Sequence, residues 1–198
     1  MSNKLYTFIF FGIVGSGKGT QIELLQKYLK EKDPEIDFVK ASPGIKYREL
    51  ISDKTYTGTI VKESLEKGYL QPDFLTNGLV VSSLAFNMKE NSCILADGFP
   101  RKIAQCQLLE ELVAYYGRTH IDIINIELGK EEATKRMKLR GRADDTDEGI
   151  AQRFDEYFNN VIPAMNYFKE KPGYTIHNIN GEQSIEAVNK DVIAALGI

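Results

Sequence analysis

A lysine set among glycines, Gly15-Ser16-Gly17-Lys18-Gly19-Thr20, follows the apolar run Phe8-Ile9-Phe10-Phe11 and Gly12. Glycines let a backbone curl until successive N–H groups, and the start of the next helix, point at an anion. Lys18 adds a mobile positive charge that can follow a moving phosphoryl group, and Thr20 a hydroxyl near a metal ion. A strand, then this loop, then a helix is the context in which such glycines grip phosphate. A glycine-rich turn without a ligand is the bland alternative. Gly12, Gly17 and Lys18 standing in register speak against it. One detail is unusual: the common phosphate-loop pattern has Ser or Thr directly after the lysine, and here Gly19 intervenes.

Two further stretches carry chemistry. In Leu95 to Gln105, Asp97 ends an apolar run and is placed to hold Mg²⁺ through water. Gly98 permits close backbone approach, and Arg101 can fork onto a phosphate. Gln105, four residues on, shares its helix face and offers both a donor and an acceptor. In Lys135 to Asp145, Arg136 and Arg140 lie one turn apart, Arg142 follows at once, and Arg153 stands on the next helix. Lys135 and Lys138 read as an ordinary solvated face. The chain has eighteen lysines and seven arginines, and of the arginines only Arg118 lies outside the motifs discussed. Surface charge is left to Lys, while Arg is kept for bidentate work.

These residues need a scaffold. Strands are expected at 5–11, 36–41, 93–96, 121–128 and 174–179, with helical spacing at 21–32, 131–139 and 147–169. In the last, Ile150, Phe154, Phe158, Ile162 and Met165 form one stripe, which reads as core, and Pro163 should bend or break the helix. The alternation predicts an α/β fold: a parallel five-stranded sheet covered by helices on both faces, with ligands at the carboxyl ends of the strands. Residues 42–89 lack a strong strand and read as several helices. The expected organisation is one domain over 1–198, its core at 1–41 and 73–198, with a small helical insertion at 42–72 over the sheet's end.

Bulk properties exclude other classes. With 198 residues, 42% hydrophobic and 27% charged, the composition is that of one globular domain. A net charge of −3 and the lack of Trp favour no nucleic acid. No apolar run approaches the ~20 residues of a membrane span, and no signal-peptide pattern opens the chain. Cys93 and Cys106 make no disulfide framework and read as free thiols of a reducing compartment, hence a cytoplasmic protein. His120 and His177 are isolated in sequence, so no structural zinc is expected.

The segment Gly-Ser-Gly-Lys-Gly-Thr-Gln at residues 15–21 resembles the loop of nucleoside monophosphate kinases, adenylate kinase above all, where Gly follows the lysine and Thr comes next. Asp97-Gly98-Phe99-Pro100-Arg101 with Gln105 is similar to the same family's monophosphate motif. The resemblance spans nearly the whole chain. It implies a fold of the P-loop NTPase type, with MgATP and AMP as substrates and ADP as product. On the ATP side it implies Gly15, Ser16, Gly17, Lys18, Gly19, Thr20, Arg136, Arg140 and the backbone of Gln183. On the monophosphate side it implies Ser42, Gly44, Arg48, the backbone of Tyr69, Leu70 and Gln71, and Gly98, Phe99, Pro100, Arg101 and Gln105. Arg101 would grip the AMP phosphate and Gln105 read the adenine edge, with a cis bond before Pro100. Arg142 and Arg153 would meet the transferring group, with Asp144 and Asp145 orienting the arginines. The catalytic set is then Lys18, Arg101, Arg136, Arg142 and Arg153, with Asp97 and Thr20 at the metal. The family's short forms also imply a monomer.

Two departures matter. Only Gly141 separates Arg140 from Arg142, where the family usually carries a lid, so water should enter and some ATP hydrolysis is expected. The family's Ser-Thr-Gly-Asp is Ser42-Pro43-Gly44-Ile45 here, which leaves another acceptor, such as UMP or CMP, as an alternative. A nucleotide-binding or ATPase module that transfers nothing is a third reading. Arg48, Arg101, Gln105, Arg142 and Arg153, which an ATP binder would not need, stand against it. The chemistry itself asks for no histidine, cysteine or serine. A monophosphate with a second pKa near ~6 is already an ionised nucleophile at neutral pH, and positioning and charge neutralisation remain.

Overall fold

The structure, a computed structural model, describes residues 5–142 and 144–198. Strand β1 (Thr7–Gly12) is buried along its whole length and feeds helix α1 (Lys18–Lys32). Then come β2 (Asp37–Ala41), α2 (Pro43–Ser52), α3 (Tyr56–Glu66), α4 (Asp73–Asn87), β3 (Ser92–Asp97) and α5 (Ile103–Tyr115). After these follow β4 (Ile121–Glu127), α6 (Lys130–Arg140), α7 (Asp147–Glu156), a π turn at Tyr157–Val161, α8 (Ile162–Asn166), β5 (Tyr174–Asn180) and α9 (Ile185–Leu196).

All four strand pairings are parallel, in the order β2-β3-β1-β4-β5. The chain runs outward from β1 to β2, returns to β3, and then crosses β1 to reach β4. Connections therefore leave in opposite directions from β1, which opens a crevice at its carboxyl end. Period-two alternation along β1 feeds both faces. Ile9 and Phe11 pack under α4, α5 and α8 through Val80, Leu84, Leu109, Ala164 and Phe168. Phe8 and Phe10 pack under α1 and α9 through Leu25, Leu29, Val188 and Val192. A third cluster joins Ile13 to Ala133, Met137, Ile150 and Phe154 and holds α6 and α7 against the loop after β1.

The long helix expected over 147–169 is not continuous. Pro163 has no N–H, and in an α-helix its ring would strike the carbonyl four residues back. The chain widens to a π turn just before it, where the N–H of Ile162 bonds to the carbonyl of Tyr157. The added residue rotates the apolar face. Ile150 and Phe154 are buried as expected and Met165 packs against the core, but Phe158 is 42% exposed, and Ala164 and Phe168 take the buried positions beyond the turn. The two histidines are not isolated in space either. Nε2 of His177 lies 2.8 Å and Nε2 of His120 3.3 Å from the same Oδ1 of Asp122, because β5 pairs with β4.

Helices α2 and α3 lie between β2 and α4. The turn after α3 rests on α7, and at Gly68 (φ 81°) a Cβ would stand 2.5 Å from the carbonyl oxygen of Gly149. Glycine at both positions allows the two backbones to meet. Gly68, at this contact, lines the crevice.

Candidate active site

The crevice is a cavity of about 570 Å³. Its base is the loop between β1 and α1. Gly17, in the left-handed region, starts α1, and no side chain caps that helix and no acid stands in its first turn. Helices α3, α7 and α9, by contrast, are capped by Thr55, Thr146 and Ser184. An uncapped N-terminus with free N–H groups at the base of a cavity suits an anion. Lys18 bends back over the loop, its Nζ donating to the carbonyls of Gly12 (2.8 Å) and Ile13 (3.0 Å). Burial lowers its pKa to about 8, Asp97 opposing and Arg101 and Arg140 adding to the effect. Ser16 is buried beneath, with Oγ 3.5 Å from Lys18 Nζ.

Asp97 is paired in register with Phe10, which sets it at the crevice beside the loop. Its carboxylate forms no ion pair among the described residues, and Thr20 lines the same cavity. A carboxylate and a hydroxyl, both hard oxygen donors, fit Mg²⁺. Beyond Asp97 the Phe99–Pro100 bond is cis. Phe99 is part of the core, and Pro100 and Gly98 line the cavity. Arg101 Nε donates to the carbonyl of Gly98 (2.9 Å). Burial first, then Arg153 nearby, holds the Arg101 guanidinium below its ordinary value, against the pull of Asp97 and Tyr47.

Gln105 is more constrained than the sequence suggested. Its Oε1 accepts from the N–H of Arg101 (2.8 Å) and its Nε2 donates to Asp73 Oδ1 (2.8 Å). One lone pair and one N–H remain for a ligand.

The arginines of α6 and α7 are organised by one carboxylate. Asp145 Oδ1 accepts from Arg140 Nη2 (2.7 Å) and Arg153 Nη1 (2.9 Å). Its Oδ2 accepts from Arg140 Nε (3.1 Å) and the N–H of Arg142 (3.0 Å). Burial opposes the charge on Asp145, but these bonds together outweigh it and hold the carboxyl below the usual range. Asp144 pairs with Arg153 as well. Gly141, left-handed at φ 64°, ends α6 and lets the chain turn at once. Arg136 donates to Glu132 (2.9 Å) and to the carbonyl of Gly181 (3.0 Å).

Facing this group, Arg48 on α2 and Arg142 stand close enough for Arg48 to help lower the Arg142 pKa, after burial and Arg140. The guanidinium groups of Arg48 and Arg142 have no hydrogen bond or ion pair among the described residues. Most expected residues thus line one cavity, including Gly15, Gly19, Ser42, Gly44, Tyr69, Leu70 and Gln71. Ser16 and Phe99 lie beneath it. Gln183 lies apart, in a more open depression shared with Gly129, Glu132 and Arg136. Its side chain is tied to Asn180 and Asp191. Arg136 lines both spaces and joins them. Sequence reasoning missed Tyr47 and Thr76, a buried pair whose hydroxyls lie 2.6 Å apart. Tyr47 is four residues after Pro43 on α2, a spacing that offered the signal.

The family model for adenylate kinase matches residues 10–172. Adenylate kinase 1 of Nostoc sp. is 34% identical over 189 residues, 96% of this chain and 97% of its own. Adenylate kinase 1 of Synechocystis sp. is 37% identical over 181 residues, 91% of each. The chain belongs to the adenylate kinase family. The alignment with the adenylate kinase of Bacillus subtilis (30% identical; 96% of this chain, 97% of that one) runs over 220 positions, so that relative has residues without counterpart here. The Nostoc alignment leaves no room for a long extra segment. Other adenylate kinases thus share this chain's short length.

Proposed function

We propose that the protein transfers the terminal phosphoryl group of ATP to AMP, giving two ADP. An oxygen of the AMP phosphate attacks the γ-phosphorus, the bond to the β–γ bridging oxygen breaks, and that oxygen leaves on ADP. The observation that carries this reading is a set of cations without enough anions. Lys18, Arg48, Arg101, Arg140, Arg142 and Arg153 line one cavity, and several hold down one another's pKa values. Two polyanions brought together there relieve repulsion among the cations rather than adding to it.

Roles follow from position. The loop and the start of α1 bind the donor phosphates, and Lys18 swings from its own loop onto them. Arg48 and Arg101 bind the acceptor phosphate. Arg153, whose guanidinium Asp145 holds, and Arg142, whose backbone N–H it holds, meet the charge that spreads over the transferring group. Arg136 and the Gln183 backbone border the donor base. Asp97 and Thr20 would hold Mg²⁺, which, when bound, neutralises donor phosphate charge. The short turn between α6 and α7 leaves the donor side without a long cover, and α2 with α3 forms a unit over the acceptor. Two buried free thiols support a reducing, cytoplasmic setting, and the substrates alone occupy the site of a monomer.

A second reading, a kinase for another monophosphate, is favoured by one observation: the Gln105 amide is already engaged at both atoms. ADP formation from MgATP with AMP, CMP, UMP, GMP or no acceptor decides. Fast turnover confined to AMP is expected. Equal or faster turnover with a pyrimidine would transfer the reading, and hydrolysis alone would end both.

A further inference from the structure

The start of α4 and the turn before it form one wall of the cavity, and Gln71 stands on it. The residue is 4% exposed, its Nε2 is fully buried, and its amide has no hydrogen bond to any described residue. Its polar neighbours are taken. Tyr47 and Thr76 bond each other, and Gln105 is held by Arg101 and Asp73. Neither amide atom is committed to another described residue, so a ligand reaching the cavity-facing end would supply its first hydrogen bond. With Nε2 as the buried end, Oε1 is left as the end that meets the cavity.

The class of ligand group follows from the surroundings. Arg48, Arg101 and Arg142 are the cations that take a phosphate, and Gln71 is neutral. It shares its wall with Leu70, and Pro43 and Leu65 line the same cavity, apolar surfaces suited to a flat ring. We propose that the Gln71 side chain reads the base of the accepted monophosphate, Oε1 accepting a hydrogen bond from an exocyclic amino group, as on C6 of adenine. This goes beyond the backbone role expected for residues 69–71 and rests on the adenylate kinase reading. A base with a carbonyl oxygen there would face oxygen with oxygen. Gln105, fixed by two bonds, and Gln71, fixed by none, then make a rigid and an adaptable half of the base site.

The test compares AMP with purine riboside 5′-monophosphate, which lacks the amino group, in the wild type and in Gln71→Met, which keeps length and shape. Loss of one neutral hydrogen bond should raise KM for AMP about fivefold, with kcat and KM for ATP unchanged. The purine analogue should be unaffected, so the preference for AMP shrinks by the same factor. The melting temperature should not fall, since a buried unpartnered amide has been removed. Gln71→Leu carries the same expectations should Met fold poorly. Wild-type turnover of AMP with an unmoved preference in the variant, or an equal loss on both substrates, overturns this inference alone. A wild type that does not take AMP overturns the parent reading and this inference together.

Discussion

Asp145→Asn should disable the site while keeping its shape. The side chain is 2% exposed and each oxygen accepts two donors. Asn keeps one oxygen and presents N–H groups at the other, so whichever way it lies, two donors lose their acceptor. Charge-assisted bonds contribute about 1.5–3 kcal/mol each, and breaking a buried pair costs about 3–5 kcal/mol. Arg140 is partly exposed, and water will replace some of its loss, so about 3 kcal/mol is the reasoned value. For a chain of this size that lowers Tm by roughly 6–12 °C. Arg142 and Arg153 would lose their aim, and misplacement by about 1 Å costs on the order of 10² in rate. Thermal unfolding and a coupled assay of ADP formation read the two effects. A variant with kcat within about threefold of wild type and Tm within about 2 °C would refute the reasoning. The acid limb gives a further check. The folded pKa is depressed, so the stabilisation is present above the unfolded value of about 3.9 and is lost as pH falls from there through the folded value. The stability gap between wild type and variant should therefore close in strong acid.

Burial lowers the Lys18 pKa to about 8, and bound polyphosphate must raise it, so ATP binding at pH 8 should take up about half a proton, and more at higher pH. Calorimetry in buffers of different ionisation enthalpy reads this uptake, Lys18→Met should abolish it, and its absence in the wild type would contradict the assigned role. Arg48→Ala removes from the acceptor side a guanidinium that has no partner among the described residues. KM for AMP should rise roughly tenfold or more with KM for ATP unchanged, and an effect on ATP alone would place Arg48 wrongly. Without AMP, the short α6–α7 turn should allow slow ATP hydrolysis above the uncatalysed rate. Undetectable hydrolysis beside fast transfer would show that the turn excludes water without a long lid.

The parallel α/β sheet was legible in the sequence because its strands are short apolar runs, separated by helical spacing, whose period is local. The phosphate loop was legible for the same reason: its glycines, Lys18 and the start of α1 are contiguous, and backbone geometry alone brings them together. What tertiary structure decided is everything set by partners far apart in the chain. The stripe held at Ile150, Phe154 and Met165 but not at Phe158, which lies in the π turn before Pro163, where an added residue re-aims the helix face. His120 and His177 met on Asp122 because strand pairing, not sequence distance, sets neighbours. The arginines could be named from sequence, but not that Asp145 would bind Arg140, Arg142 and Arg153 at once. Nor could the sequence show that Gln105 would be engaged while Gln71 stayed without a partner among the described residues. Residue type fixes what hydrogen bonds a side chain can make; only packing decides which of them are already made.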